Sequence, residues 1–191
     1  PKPARMAFWL NAYNAHVIRG VLDKLPGNPK FSVSEKKFVF FNERRYRAAG
    51  LTLSLNEMEN GILRADWGHH SLKGTPPDLR QRLENLHAGV GKVDPRLHFA
   101  LVCASLGCPD LRASVYTGAA LEKQLEADTR TYLKSAKGAS ERGISALFSW
   151  FKKDFVAAGL PPKKFIQQYR GTDAKIAFDR ELPYSWKLNQ K

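Results

Sequence analysis

Three reactive side chains, His98, Cys103 and Cys108, fall within eleven residues of one another. A thiol becomes a nucleophile only when a base or a cation holds it as thiolate, and an imidazole base needs an acceptor to orient it. Cys103 as nucleophile, His98 as base and Glu59 as orienter would fill those roles. Four residues separate the two cysteines, so they match neither a two-residue redox motif nor a zinc knuckle, and no second pair exists. They form either a small disulfide loop or a pair in which one thiol reacts. The plain alternative is a buried Cys serving as a small hydrophobe beside a core His bonded to backbone.

The elements that must position these groups are legible in part. Leu97 to Ala104 is apolar apart from His98 and predicts a strand covered on both faces. His98 and Cys103 are five apart, so a regular strand points them to opposite faces, and they meet only across a bulge or a turn. Ser105-Leu106-Gly107-Cys108-Pro109 is a turn by composition. Ser54-Leu55-Asn56-Glu57 is a capping box that starts a helix running to about Arg64. Glu59 lies in its apolar stripe, four residues from Leu55 and from Leu63, where a carboxylate must pair or be pushed toward its neutral form. Arg64 is one partner within reach.

A first helix is expected from Ala4 to Leu25, with Leu10, Asn14, Val17, Ile18 and Val21 on one face and Pro26-Gly27-Asn28-Pro29 ending it. Asn14 in that stripe, and Asn11 one turn earlier, either pin neighbouring backbone or face a site. A buried amide left unbonded costs about 1–3 kcal/mol. Phe38 to Phe41 and Lys175 to Phe178 read as short strands, and Asn42 to Gly50 as a polar connection. Helices are expected at about Asp78 to His87, Ala119 to Ser135, Ile144 to Gly159 and after Pro161-Pro162. The tail, Leu182 to Asn189, alternates like a strand. Helices alternating with few strands define an α+β class, a helix-rich single domain around a small β-sheet spanning 1–191.

Composition bounds the function. At 191 residues the chain fits one domain, and 43% apolar against 26% charged residues is ordinary for a folded protein. Four Trp, six Tyr and eleven Phe exclude disorder as the main state. No apolar run is long enough to span a membrane. Thirty-one Lys plus Arg against 18 Asp plus Glu gives +13, but the basic residues are scattered in pairs. No helix-turn-helix or zinc-finger spacing accompanies them, so a solvated basic surface is expected and no specific nucleic-acid site. His69 and His70 are adjacent, with no acid or thiol at ligand spacing, so no metal is expected. No phosphate-binding or dinucleotide fingerprint is present, so no cofactor is expected. The chain opens at Pro1, without a Met, almost directly into a helical pattern, which predicts that a preceding segment has been trimmed.

Four segments resemble one family. They are Phe8-Trp9-Leu10-Asn11-Ala12-Tyr13-Asn14-Ala15, Leu53 to Arg64, Asp94 to Pro109, and Tyr184-Ser185-Trp186-Lys187-Leu188-Asn189. In these the chain resembles the family known as domain of unknown function 547, with a family-like core over about 4–189. Its recurrent polar positions match Asn11, Asn14, Glu59, Arg64, His98, Cys103 and Cys108. The resemblance implies a relation to papain-like cysteine hydrolases in rearranged strand order, and an exported, periplasmic bacterial setting. The function expected is a cysteine-dependent amide hydrolase or transferase acting on a peptide or a small γ-glutamyl or thiol compound. Asn11 or Asn14 would donate to the oxyanion, and Arg64 would bind a substrate carboxylate or pair with Glu59. The alternative is a non-catalytic envelope binding module, with the same residues as a polar core and Cys103–Cys108 as a disulfide.

Overall fold

The computed structural model describes residues 1–190 as a helix-rich α+β chain. It divides into two compact units, each built from more than one stretch of chain. One unit holds Pro1–Val93 and Ala113–Leu121, and the other holds Asp94–Arg112 and Glu122–Asn189.

In the first unit, α1 (Lys2–Lys24) buries Met6, Trp9, Leu10, Tyr13, Asn14, Val17 and Val21 at helical spacing. Ile18, expected on that face, is exposed. The segment Phe38 to Phe41 is not a strand but part of α2 (Glu35–Asn42), whose residues Lys36, Lys37 and Phe38 take left-handed angles. Just before it, the Ser32 amide donates to Glu35 Oε1 at 2.9 Å. The polar connection holds a hairpin instead, β1 (Tyr46–Ala48) paired antiparallel with β2 (Leu51–Leu53). Ala49 and Gly50 both have positive φ, 48° and 74°, the requirement of a two-residue primed turn. The expected capping box forms: Glu57 N donates to Ser54 Oγ at 3.1 Å and Ser54 N to Glu57 Oε2 at 2.8 Å. It leads into a π-helix over Glu57–Leu63 rather than an α-helix. Arg64 N reaches back five residues to Glu59 O at 2.9 Å. Gly61 lets Leu83 of α3 (Pro77–Val90) pack directly on this element. π-helical turns are rare and concentrate at functional sites.

The second unit has an aromatic core. Phe99, Phe148, Phe155 and Phe165 are all buried, with Phe99 stacked on Phe165 at 5.8 Å and Phe148 against Phe155 at 5.0 Å. They come from α5 (Leu147–Trp150), α6 (Lys152–Ala157), α7 (Pro162–Arg170) and the segment before Cys103. Tyr132 and Leu133 of α4 (Leu121–Lys134) join them. The strand expected over Leu97 to Ala104 does not form. Pro95–Phe99 is a 3₁₀ helix whose Asp94 side chain accepts from Arg96 N at 2.9 Å. A capping Asp followed by Pro starts a helix, and here it outweighs the apolar run. That run is apolar because Leu97, Phe99, Ala100, Leu101 and Val102 are buried, and short apolar runs do not separate buried helix from buried strand. Lys175 to Phe178 is likewise not a strand; Ala177 N makes one bond, to Ser140 O at 3.1 Å. Among the described residues the sheet here is β3 (Ala139–Ser140) with β4 (Gly143–Ile144). The tail contributes two isolated bridges, Ile144 with Glu181 and Ser105 with Leu188.

Candidate active site around Cys103

Absence of a strand removes the parity objection, since Cys103 lies in irregular chain. The residue after it, Ala104, has φ of 62°. A non-glycine left-handed residue costs roughly 1–3 kcal/mol and persists only where its surroundings impose it. Those surroundings are visible. Leu106 N donates to Lys187 O at 2.8 Å, Gly107 N to Ser185 O at 2.9 Å, and Asn189 N to Ala104 O at 2.9 Å. From the other side Tyr132 Oη donates to Gly107 O at 3.1 Å, and Lys137 Nζ to the carbonyls of Leu106 and Cys108. The loop Cys103 to Cys108 is therefore clamped between the C-terminal segment and α4 with its adjoining turn.

Both cysteines are free thiols, so the disulfide of the binding-module reading is not formed. Cys108 is buried, and its sulfur accepts from Cys103 N at 2.7 Å. Around Cys103 Sγ stand Ser105 Oγ at 3.0 Å and Tyr184 Oη at 3.1 Å. Ser105 Oγ also lies 3.2 Å from Tyr184 Oη, so the two hydroxyls and the sulfur form one hydrogen-bonded triangle. Burial alone would push the Cys103 thiol up, but hydrogen bonds from Cys108, Ser105 and Tyr184 outweigh it and bring the thiol down to about 7. Burial, with the neighbouring Cys103, pushes Cys108 well up. Burial also pushes Tyr184 up, as do the neighbouring cysteine charges. Cys103 thus ionises near neutrality, while Cys108 and Tyr184 stay protonated beside it.

The Tyr184 ring lies flat on Gly107. A Cβ built there would come within 2.9 Å of three ring carbons. Gly107→Ala is therefore expected to displace the phenol and raise the Cys103 ionisation midpoint toward the free-thiol value of about 8.5. The midpoint is read from the pH dependence of alkylation, and an unchanged value would contradict the hydrogen bond.

His98 is placed differently from expectation. Its side chain is 0% exposed, and Nε2–H donates to Asp154 Oδ2 at 2.9 Å. The ring stacks on Phe151 at 3.8 Å with a 12° interplanar angle. Asp154 of α6 thus takes the orienting place assigned to Glu59. It was findable: an acid between Phe151 and Phe155 sits in an apolar stripe, the same anomaly that singled out Glu59. Tyr184 and Ser105 carried no such signal.

The other predicted residues belong to the first unit. Glu59 accepts from Tyr13 Oη at 3.0 Å. Arg64 is buried, donating to Asn60 Oδ1 and to Asp66 at 3.4 Å. Asn14 is buried in α1. Asn11 binds the backbone of Tyr116 at both ends, Nδ2 donating to Tyr116 O at 2.8 Å and Oδ1 accepting from Tyr116 N at 2.9 Å. It pins Ala113–Leu121 to its unit rather than presenting its amide to a substrate. Asn11→Ala is expected to cost about 1–3 kcal/mol, since two backbone groups lose their partner. Urea unfolding measures it, and a loss under about 0.5 kcal/mol, the level of an ordinary surface substitution, would contradict the pinning role.

Among the described residues no three His, Cys, Asp or Glu side chains converge as a metal site requires. Nor is any helix among them long and apolar enough to cross a membrane.

A helix-rich α+β chain with an ionisable thiol on a clamped loop defines the class to compare. The family model described as "Protein of unknown function, DUF547" matches residues 1–133, and the chain belongs to that family. No curated protein and no solved structure gave a significant match. The matched span includes Asn11, Asn14, Glu59, Arg64, His98, Cys103 and Cys108. Asp154 and the segment Tyr184 to Asn189 lie beyond it.

Proposed function

We propose that the protein is a cysteine-dependent amide hydrolase or transferase with Cys103 as nucleophile. The observation that carries this reading is the hydrogen-bonded thiol: Tyr184 at 3.1 Å and Ser105 at 3.0 Å from the sulfur of a half-buried residue whose ionisation falls to about 7. A structural cysteine needs no such arrangement, whereas a nucleophilic one needs its thiolate populated near neutral pH. The thiolate adds to an amide carbonyl, the amine leaves with a proton from solvent, and a thioester remains on Cys103. Water cleaves the thioester, releasing the acid and returning the proton; in a transferase, an amine or thiol takes the acyl group instead. His98, held by Asp154 and Phe151, is a positioning residue in this reading. It ties the segment leading into Cys103 to α6. Peptides and γ-glutamyl compounds are the substrate classes to try, and the papain-like relation and exported bacterial setting rest on the family resemblance.

The polar-core alternative draws support from the Asn11–Tyr116, Tyr13–Glu59 and His98–Asp154 bonds, which give several of the same residues structural work. Intact-protein mass spectrometry separates the two. After an acid quench of reactions with a panel of peptide and γ-glutamyl amides, the proposal expects an acyl adduct mapping to Cys103. Amine release with no adduct at Cys103, or with an adduct elsewhere, would defeat it.

A further inference from the structure

Tyr184 has a second set of neighbours besides the thiol. Its ring centroid lies 4.7 Å from that of Trp150 and 4.6 Å from that of Trp186. The two indoles are nearly parallel, with 5.6 Å between centroids and 14° between planes. Trp150 nevertheless leaves 46% of its surface exposed. Large aromatics ordinarily bury most of their area, since burial is what stabilises them. Three rings gathered at the surface, one carrying the hydroxyl beside Cys103 Sγ, therefore mark a place where a ligand completes the packing.

We infer that Trp150, Tyr184 and Trp186 form a substrate subsite for an aromatic side chain adjoining the amide on which Cys103 acts. The inference rests on the hydrolase or transferase reading. It adds a substrate class: amides flanked by a planar apolar ring. Aromatic pairs prefer offset or edge-to-face contacts at 4.5–7 Å, beyond what area burial supplies, and the partly exposed Trp150 has a surface left to offer. Tyr184 joins subsite to nucleophile, because the ring that floors the cluster holds the sulfur with its hydroxyl.

Two measurements test it independently. The first compares labelling of Cys103 by the chloromethyl ketones of N-acetylphenylalanine and N-acetylalanine, each rate divided by the iodoacetamide rate of the same protein. The phenylalanine reagent is expected to be faster by roughly tenfold, the worth of an aromatic contact with its burial. Trp150→Leu, which keeps apolar bulk but removes the ring, should reduce that preference several-fold. Equal normalised rates in the native protein, or a preference that survives Trp150→Leu, would overturn the subsite while leaving a reactive Cys103 untouched. The second needs no reactive thiol. Titration with N-acetylphenylalanine amide to millimolar levels should shift the indole N–H resonances of Trp150 and Trp186, and leave those of Trp9 and Trp67 in place. Shifts with an inert Cys103 would sink the hydrolase reading, and the subsite's link to Cys103 with it, while leaving the cluster a binding site for aromatic rings. No shift at either indole would overturn the subsite.

Discussion

Cys103→Ser is expected to lower the turnover of any amide the protein cleaves by a factor on the order of 10³ or more. The serine hydroxyl is nearly isosteric, so the clamps on the loop from Tyr132, Lys137 and the tail stay in place. What is lost is the anion. Hydrogen bonding lowers the thiol to about 7, but the same donors cannot bring an alcohol anywhere near neutrality. Losses of this size are usual when a nucleophile is removed from a set of groups that act together. Cys108→Ala, by contrast, removes a neighbour that hydrogen-bonds Cys103 and leaves the nucleophile. The pair of steady-state measurements gives the assignment: equal losses in both variants, or turnover retained by Cys103→Ser, would contradict it.

Asp154→Ala should strongly destabilise the second unit, by about 3–5 kcal/mol. The His98 side chain is 0% exposed and that of Asp154 is 7% exposed, with 2.9 Å between them. Removing one member of such a pair strands the other away from water, which costs far more than the pair itself contributes. For a chain of this size that loss lowers Tm by about 6–20 °C. Asp154→Asn keeps a hydrogen-bond acceptor and should lose less. Thermal unfolding of the two variants checks the ordering. A shift below about 2 °C for the alanine variant would mean that the pair is not structural.

The parts of the fold that local rules govern were readable from the residues. α1 follows from its apolar spacing and the breakers after Leu25, and the start at Ser54 follows from its capping box. Reading failed where two local codes competed. Leu97 to Ala104 looks like a covered strand because burial requires apolar residues of any element, and the signal that decides, Asp94-Pro95, sits just ahead of it. Phe38 to Phe41 fails too, since a short apolar run does not separate helix from strand. The π-helix over Glu57–Leu63 has no sequence signature to read. It widens the turn on which Glu59 sits, so the α-helical stripe argument placed that carboxylate only approximately. At the candidate site, the cysteines were legible from chemistry alone. Their partners were not, because Tyr184 lies 81 residues from Cys103 and Asp154 lies 56 from His98, separations over which no periodicity speaks.

The central claim is that Cys103 is a populated thiolate near neutral pH. The direct test is the rate of iodoacetamide alkylation at Cys103 and Cys108 in native protein as a function of pH, read by peptide mass spectrometry. Because the folded value is depressed, the thiolate and the stability linked to it are present above the ordinary thiol value and lost as pH falls through about 7. The predicted result is a Cys103 rate that rises with a midpoint near 7 and then levels off, while buried Cys108 stays slow throughout. A Cys103 rate still climbing through about 8.5, as for a free thiol, would contradict the account.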